Sequence, residues 1–243
     1  ADLKTMTALG CFGMAAITAI TAQNTCGVFG IHDVPPEEVA RQIDVVLEDI
    51  GADAAKTGML SSAPIIHAVA DALRRRPVVK LVVDPVMVAK SGDALLREDA
   101  RDALMTALLP LAYMVTPNVP EAEVLSGIPI SNAASMRAAA DRILALGPRH
   151  VLLKGGHLEG PEANDWLFGG DEVYSFSAPR IATKNTHGTG CTFSAAIACH
   201  LARGASAQDA VARAKEYLSG AIRHSFPLGA GHGPLNQDRK SGV

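Results

Sequence analysis

The stretch 183–192 has the residue spacing most directly connected with chemistry. Gly188 and Gly190 stand two positions apart, just before an apolar, alanine-rich run at 195–201 that is typical of a helix. Glycines allow a tight turn with exposed N–H groups, and a helix start adds unpaired donors and a positive dipole end. The pattern predicts a phosphate-binding loop at 186–191, although glycine pairs also serve only to turn the chain or cap a helix.

Other residues supply what the transfer of a phosphoryl group would need. Such a site requires a phosphate cradle, a cation, a metal held by carboxylates and a positioned acceptor hydroxyl. Lys154 is a cation at a strand end beside two glycines, and Asp84 and Glu121 offer the hard oxygen ligands that suit Mg²⁺. Polar residues also occur wherever strands end, and Glu121 could simply stabilise the first turn of its helix.

The elements that must position these residues alternate along the chain. Apolar runs predict strands, and 3.6-residue spacing predicts helices between them. Strands are expected at 15–22, 28–34, 52–56, 78–83, 113–116 and 151–154, with a hairpin at 165–176, and helices at 36–50, 63–76, 97–108, 119–126, 132–146, 189–203 and 206–224. This order predicts an α/β fold with a mostly parallel central sheet and helices on both faces. Ligands bind such sheets at the carboxyl ends of the strands, where Asp84, Asn118 and Lys154 fall.

Composition narrows the class of protein. The 243 residues are 48% hydrophobic with no linker-like tract, so we expect a single domain over 1–243. The net charge of -3 argues against a nucleic-acid partner. The four cysteines form no CxxC pair, no apolar run reaches the ~18 residues of a membrane span, and no signal peptide is evident. A cytoplasmic protein without a membrane partner is the expectation.

Nine stretches have the residues and the order of a known protein family, at 1–5, 22–25, 56–60, 83–87, 89–92, 116–121, 153–157, 183–192 and 231–234. They resemble the ribokinase-like superfamily, and within it the hydroxymethylpyrimidine and phosphomethylpyrimidine kinases of thiamine biosynthesis. The resemblance implies an enzyme that uses ATP and Mg²⁺ to phosphorylate 4-amino-5-hydroxymethyl-2-methylpyrimidine and then its monophosphate. The alternatives are a pyridoxal or pyridoxine kinase, and a non-catalytic, pyrimidine-binding regulatory protein on the same fold.

The resemblance also implies a substrate pocket. Gln23 would hydrogen-bond the pyrimidine ring, since an amide offers both a donor and an acceptor. Asp2 would hold the hydroxymethyl or amino group, and Met59 and Val86 would line the walls around the ring. From the residues alone, Gln23 could instead cap a strand, Asp2 could cap a helix, and the two apolar residues could belong to the core.

The same resemblance implies roles at the nucleotide. Asp84 and Glu121 would hold Mg²⁺, and Gly188, Gly190 and Lys154 would act on the transferred phosphoryl group. The residues implied in binding ATP are Asn118, Lys154, Thr186, His187, Gly188, Thr189 and Gly190. A flap at 88–93 would close over the site and exclude water.

Cys191 stands where most sugar kinases of the superfamily have the aspartate that acts as a general base. A helix start lowers the pKa of a thiol, whereas a neighbouring polyphosphate disfavours the thiolate. Cys191 therefore either deprotonates the acceptor hydroxyl or only positions it, because a loose transition state needs little base catalysis.

Three features depart from the family pattern or extend it. Members of that family begin with a strand and a Gly/Ser-rich loop before Ala1-Asp2-Leu3-Lys4, so about 20 further residues are expected upstream. Relatives that phosphorylate pyridoxal use a flap cysteine, and 88–92 has none. The family also implies a homodimer, for which the apolar strand pair near 15–34 could supply the interface, although burial in the core would explain those apolar residues equally well.

Overall fold

The computed structural model of the chain describes residues 1–87, 98–156 and 160–238. Its helices are α1 (Asp2–Ala8), α2 (Pro36–Asp49), α3 (Ala63–Arg75), α4 (Glu98–Ala103), α5 (Val119–Ser126), α6 (Ala133–Leu144), α7 (Thr189–Ala202) and α8 (Ala207–Arg223). Its strands are β1 (Ala19–Gln23), β2 (Val28–Asp33), β3 (Ala55–Thr57), β4 (Leu81–Val83), β5 (Met114–Val115), β6 (His150–Lys154), β7 (Glu162–Gly169) and β8 (Glu172–Pro179).

Six of these strands form the central sheet in the order β3-β4-β5-β6-β7-β8. The first four strands are parallel, and β7 and β8 add an antiparallel hairpin at one side. The predicted sheet is therefore confirmed, with the mixed edge that the hairpin gives it. Strands β1 and β2 form a separate antiparallel ribbon.

Helices cover both faces of the sheet, as the sequence predicts. Val83, Val115 and Leu153 point to one face, where they pack with buried residues of α2 to α6. Val82, Met114 and Leu152 alternate with them and pack against α7 and α8 on the other face. Such two-sided burial explains why the short parallel strands read as continuous apolar runs. No helix in the described ranges is both long and apolar enough to cross a membrane.

Several predicted elements differ in their bounds, and for two of them the structure shows the cause. Strand β1 begins at Ala19 rather than at 15, because the backbone N–H and C=O of Ile17 are bound by the side-chain amide of Gln42. The helix expected to continue to 108 widens into a π-helical turn at Leu104–Leu108 and ends in a 3-10 turn. Pro110 lies in that last turn, and its missing N–H prevents regular helical bonding there.

Candidate active site

A buried ion pair stands at the carboxyl ends of β4 and β6. Nζ of Lys154 donates to Oδ1 of Asp84 at 2.7 Å, and only 2% of the Asp84 side chain is exposed. Thr116, directly after β5, donates to the same oxygen at 3.0 Å. Ser194 of α7 donates to Oδ2 at 3.3 Å. Three parallel strands and one helix therefore meet at a single carboxylate.

The two charges of this pair hold each other ionised. Burial alone would raise the pKa of Asp84, but the charges of Lys154 and Lys56 bring it below its ordinary value. Burial would likewise lower the pKa of Lys154, and the negative charges of Asp84 and Glu121 outweigh it, so that this pKa is raised. A fixed ammonium at this edge of the sheet is suited to neutralising phosphate oxygens.

Asn118 and Glu121 form a capping box at the start of α5. Oδ1 of Asn118 accepts from the N–H of Glu121 at 2.8 Å, and Oε2 of Glu121 accepts from the N–H of Asn118 at 2.8 Å. The helix-stabilising role considered for Glu121 is thus present in the structure. Because burial raises the pKa of Glu121, with the charge of Lys154 acting against it, this carboxyl also belongs to the electrostatics of the site.

The glycine loop leads into α7 as the sequence predicts. Gly188 is the N-cap residue and has φ of 81°, a left-handed conformation that favours glycine. Thr189 closes the preceding turn by donating from its hydroxyl to the carbonyl of Thr186 at 2.6 Å. Within the described residues, the N–H groups of Gly190 and Cys191 have no hydrogen-bond acceptor. Two free donors at a helix start are the groups that an anion site requires.

This loop adjoins the ion pair. A Cβ placed on Gly190 would lie 3.5 Å from Nζ of Lys154 and 3.6 Å from Oδ2 of Asp84. The glycine loop is therefore a neighbour of Lys154 and Asp84, although the three lie far apart in the sequence. An anion bound at the start of α7 would lie beside the Lys154 ammonium.

The segment Gly231-His232-Gly233-Pro234, called the brace below, holds the loop in place. The carbonyl of Gly233 accepts from the N–H of His187 at 3.0 Å. On its other side, the brace donates from the N–H of His232 to the carbonyl of Thr25 at 2.8 Å. A Cβ on Gly231 would lie 2.0 Å from that carbonyl oxygen, so only glycine fits there. Burial lowers the pKa of His187, which favours the neutral ring and a structural role in the loop.

The turn after Lys154 is fixed by a second buried ion pair. Oδ1 of Asp165 accepts from the N–H of Gly155 at 3.0 Å, and Oδ2 accepts from Nζ of Lys215 at 2.6 Å. Lys215 also donates to the carbonyl of Ala163 at 2.8 Å. Helix α8 is thus tied to the position of the Lys154 side chain, a link that the sequence pattern does not reveal.

Cys191 lies half-buried in the first turn of α7, beside charged groups. Burial raises its pKa above the ordinary thiol value, and the positive charge of Lys56 acts in the opposite direction without cancelling that effect. The net shift is opposite to the one expected from the helix dipole alone. The thiol is therefore neutral near pH 7, which favours positioning of an acceptor over removal of its proton.

Sequence reasoning gave Asp2 a role but missed its partner, Lys56. Nζ of Lys56 donates to Oδ2 of Asp2 at 3.0 Å, and only 1% of the Lys56 side chain is exposed. A lysine inside a predicted strand of a sheet with helices on both faces was the available signal, because a buried charge needs a partner. Ser194 was also missed, since one more hydroxyl in an alanine-rich helix is unremarkable as a pattern.

The remaining predicted substrate residues are less closely joined. Met59 and Val86 are half-buried, and Val86 lines a small cavity with Thr57, Gly58 and Asp84. Gln23 is exposed at the end of β1 and makes no described polar contact with the ion pair. The flap at 88–93 lies outside the described residues.

The carboxylates have the chemistry that Mg²⁺ requires but are not a preformed cage. Among the residues that the structure describes, no group of three or more potential metal ligands is clustered. Both oxygens of Asp84 are hydrogen-bonded, and Glu121 is engaged in its capping box. Mg²⁺ commonly keeps several waters and uses one or two carboxylates together with substrate phosphates. The carboxylates of Asp84 and Glu121 fit such a role, in which they would hold the ion through water.

A mixed sheet between two helical layers, with a glycine loop at the start of one helix beside a strand-end ion pair, defines a ribokinase-like protein. Residues 1–236 match the phosphomethylpyrimidine kinase family, and the chain belongs to that family.

Two sequence relatives illustrate the match. The chain is 50% identical over 236 residues to the hydroxymethylpyrimidine/phosphomethylpyrimidine kinase of Streptomyces coelicolor, covering 97% of this chain and 87% of that protein. It is 56% identical over 239 residues to the thiamine biosynthesis bifunctional protein ThiED of Geobacter sulfurreducens. The match covers 97% of this chain and 48% of ThiED, so the chain spans about half the length of that relative.

Solved structures agree with this assignment. The crystal structure of phosphomethylpyrimidine kinase from Clostridium difficile 630 has a TM-score of 0.82 and 45% identity, covering 91% of each chain. An ADP complex of Bacillus subtilis pyridoxal kinase has a TM-score of 0.89 and 36% identity, covering 97% of this chain and 90% of that one. The fold is thus shared with kinases that are named for different acceptors.

Proposed function

We propose that this chain transfers the γ-phosphoryl group of ATP to 4-amino-5-hydroxymethyl-2-methylpyrimidine, and then phosphorylates the resulting monophosphate to the pyrophosphate. The observation that carries the proposal is the meeting of the Asp84–Lys154 pair with the free N–H groups at the start of α7. Membership of the phosphomethylpyrimidine kinase family supports this choice of acceptor.

The geometry suggests how the chain's own groups would act. The N–H groups of Gly190 and Cys191 and the Lys154 ammonium would hold the oxygens of the transferred phosphoryl group, where charge develops. Cys191, as a neutral thiol, would position the acceptor oxygen, and Asp2 would hold the hydroxymethyl or amino group of the acceptor. Asp84 and Glu121 would hold Mg²⁺ through water, and the ion would neutralise charge on the phosphates of ATP.

A cavity of about 410 Å³ offers space for the rest of the nucleotide. It lies between the end of β8 and α8, and its lining includes Phe176, Lys215 and Arg223. Strand β8 runs in the same direction as β6, so the cavity and Lys154 lie at the same edge of the sheet. A volume of a few hundred Å³ suits a nucleoside, and we place adenosine there.

The exposed ribbon supports the inference of a homodimer. Ile20, Phe29 and Ile31 of β1 and β2 are 41–71% exposed, and Phe12 nearby in sequence is 84% exposed. Such apolar residues on one small ribbon are more than scattered exposure explains. We expect light scattering after gel filtration to give twice the chain mass, and Phe29→Ser to halve it. An unchanged dimer in that variant would exclude this surface as the interface.

A coupled assay of ATP turnover tests the proposed activity. The pyrimidine alcohol, its monophosphate and pyridoxal are offered separately, with and without Mg²⁺. Mg²⁺-dependent turnover of both pyrimidines is the expected result, and Lys154→Met should abolish it. Turnover of pyridoxal alone would assign the chain to the other acceptor class, which its structural similarity to pyridoxal kinases makes the second candidate. Binding of the pyrimidine without turnover would indicate a regulatory role.

A further inference from the structure

Lys56 is a buried cation whose role the proposed function leaves open. Its ammonium has one hydrogen bond within the described residues, to Oδ2 of Asp2. The other carboxylate oxygen, Oδ1 of Asp2, is buried and has no partner in that part of the chain. Both members of the pair therefore retain unused hydrogen-bonding capacity inside the protein, which is costly unless a ligand uses it.

The pair is located at the start of α7. A Cβ on Gly188 would lie 3.4 Å from the Cβ of Ala1, the residue before Asp2. A Cβ on Gly58 would lie 2.9 Å from Nζ of Lys56, so this glycine leaves room for the ammonium. Burial alone would lower the pKa of Lys56, but the carboxylates of Asp2 and Asp84 act in the opposite direction and the pKa is raised, so the side chain stays charged.

The other buried lysine of the site is already engaged. Nζ of Lys154 is bound to Asp84 at 2.7 Å, on the side where ATP would place its phosphates. Lys56 stands on the side of Asp2 and Cys191, where the acceptor oxygen would lie. The site therefore has one cation for each of the two reacting partners.

The two acceptors differ in charge at the reacting atom. The first is an uncharged alcohol, whereas the second is a phosphomonoester with a charge of about −1.5 to −2 near pH 7. Bringing that anion next to the triphosphate of ATP requires a cation in contact with it, because like charges repel strongly in a desolvated site. A site that serves both acceptors needs a cation that is neutralised locally when the acceptor is uncharged.

We propose that Lys56 makes the site competent for the monophosphate, by exchanging its bond to Asp2 for bonds to the phosphate of the acceptor. This rests on the proposed function. With the alcohol, Lys56 stays with Asp2. With the monophosphate, an unprotonated phosphate oxygen attacks the γ-phosphorus of ATP, the bond from that phosphorus to the β-bridging oxygen breaks, and ADP leaves with the electron pair. No proton has to be removed from the attacking oxygen, so this step needs no base. Lys56 would instead offset the negative charge of the acceptor phosphate.

The test compares both acceptors in Lys56→Met. The alcohol and the monophosphate are assayed for kcat/KM, and binding of the monophosphate without ATP is measured by calorimetry. Losing a charged hydrogen bond should reduce kcat/KM and affinity for the monophosphate roughly 10- to 100-fold more than the values for the alcohol. Lys80→Met is the matched control, because Lys80 precedes β4 at the opposite end of the sheet, with Nζ 3.9 Å from the Tyr113 ring centroid. It should leave the ratio of the two constants unchanged.

The variant Asp2→Asn provides a second test, in which the ratio of the two kcat/KM values should change in the opposite direction. The variant frees Lys56 from its neutralising partner, so the ratio of kcat/KM for the monophosphate to that for the alcohol should rise. Unfolded protein lowers both constants of one preparation equally and cancels in the ratio. Equal losses for the two acceptors in Lys56→Met, or a falling ratio in Asp2→Asn, would overturn the proposal while leaving the kinase activity standing. Wild-type protein that phosphorylates neither acceptor would overturn both.

Discussion

Replacing Lys215 by Met should destabilise the fold far more than the loss of a surface lysine. The substitution removes the donor to Asp165 at 2.6 Å and to the carbonyl of Ala163 at 2.8 Å. Asp165 is 3% exposed, so its carboxylate would remain buried with only the Gly155 N–H as a partner. Removing one member of a buried pair costs roughly 3–5 kcal/mol.

Protonation of Asp165 should relieve part of this cost. Burial already raises the pKa of Asp165, with the charge of Lys215 opposing it, so the variant's carboxyl will have a still higher pKa. When folding raises the pKa of a carboxyl, the folded state loses stability as the pH rises through that pKa. We therefore expect a loss of about 3 kcal/mol at pH 7.5, near the lower bound for a broken buried pair, and a smaller loss at pH 5.5.

Urea unfolding followed by circular dichroism at the two pH values measures the effect. Lys4→Met is the control, because the Lys4–Asp238 pair spans 3.7 Å with both side chains largely exposed and should contribute less than about 0.5 kcal/mol. Combining Lys215→Met with Asp165→Asn should recover part of the loss, since no charge is then left buried. A loss in Lys215→Met no larger than in Lys4→Met, or one that does not shrink at pH 5.5, would refute the reasoning.

Three further outcomes are expected. Because burial raises the pKa of Cys191, its alkylation by iodoacetamide, followed by peptide mass spectrometry, should still accelerate with pH above pH 8; a plateau below pH 8 would contradict this. Cys191→Ser should keep kcat for the alcohol within about 10-fold in the coupled assay, whereas loss of a general base costs roughly 10²–10⁴-fold, which is the result that would restore that role. Gly231→Ala should lower the melting temperature, because its Cβ would meet the Thr25 carbonyl at 2.0 Å. Calorimetry with a non-hydrolysable ATP analogue should show weaker binding in that variant, and unchanged values would show that the brace does not hold the loop.

Local pattern was sufficient for the features that depend on neighbouring residues. The position of the glycine loop was predictable because Gly188 and Gly190 lie directly before an apolar helix, and the structure places them at the start of α7. The parallel strands were predictable because burial on both faces leaves a continuous apolar run, such as the one ending at Asp84. Boundaries were less predictable, since the backbone of Ile17 is bound by Gln42, 25 residues away.

Pairings between distant residues could not be read in this way. Lys56 and Lys215 are each a single charged residue in a segment with no recognisable motif. The residues around them in the sequence do not predict that Asp2 and Asp165 are their partners. The resemblance to a family supplied a role for Asp2 but none for Lys56. The direction in which the pKa of Cys191 shifts likewise depends on burial in the folded site, which outweighs the effect of the local helix dipole.

The brace has a consequence for the order in which the molecule assembles. Its Gly231 N–H donates to the Thr25 hydroxyl across 206 residues, and the Asp84 bonds to Lys154 and Ser194 span 70 and 110 residues. Contacts between residues so far apart in sequence require the closure of large loops, which slows their formation. During synthesis, the nascent chain can build most of both apolar layers before the brace leaves the ribosome, since Leu235 alone of their described buried residues follows the brace, but the glycine loop is not yet fixed. The capacity to bind phosphate is therefore expected to appear late and all at once, so a partly synthesised chain would be compact yet inert.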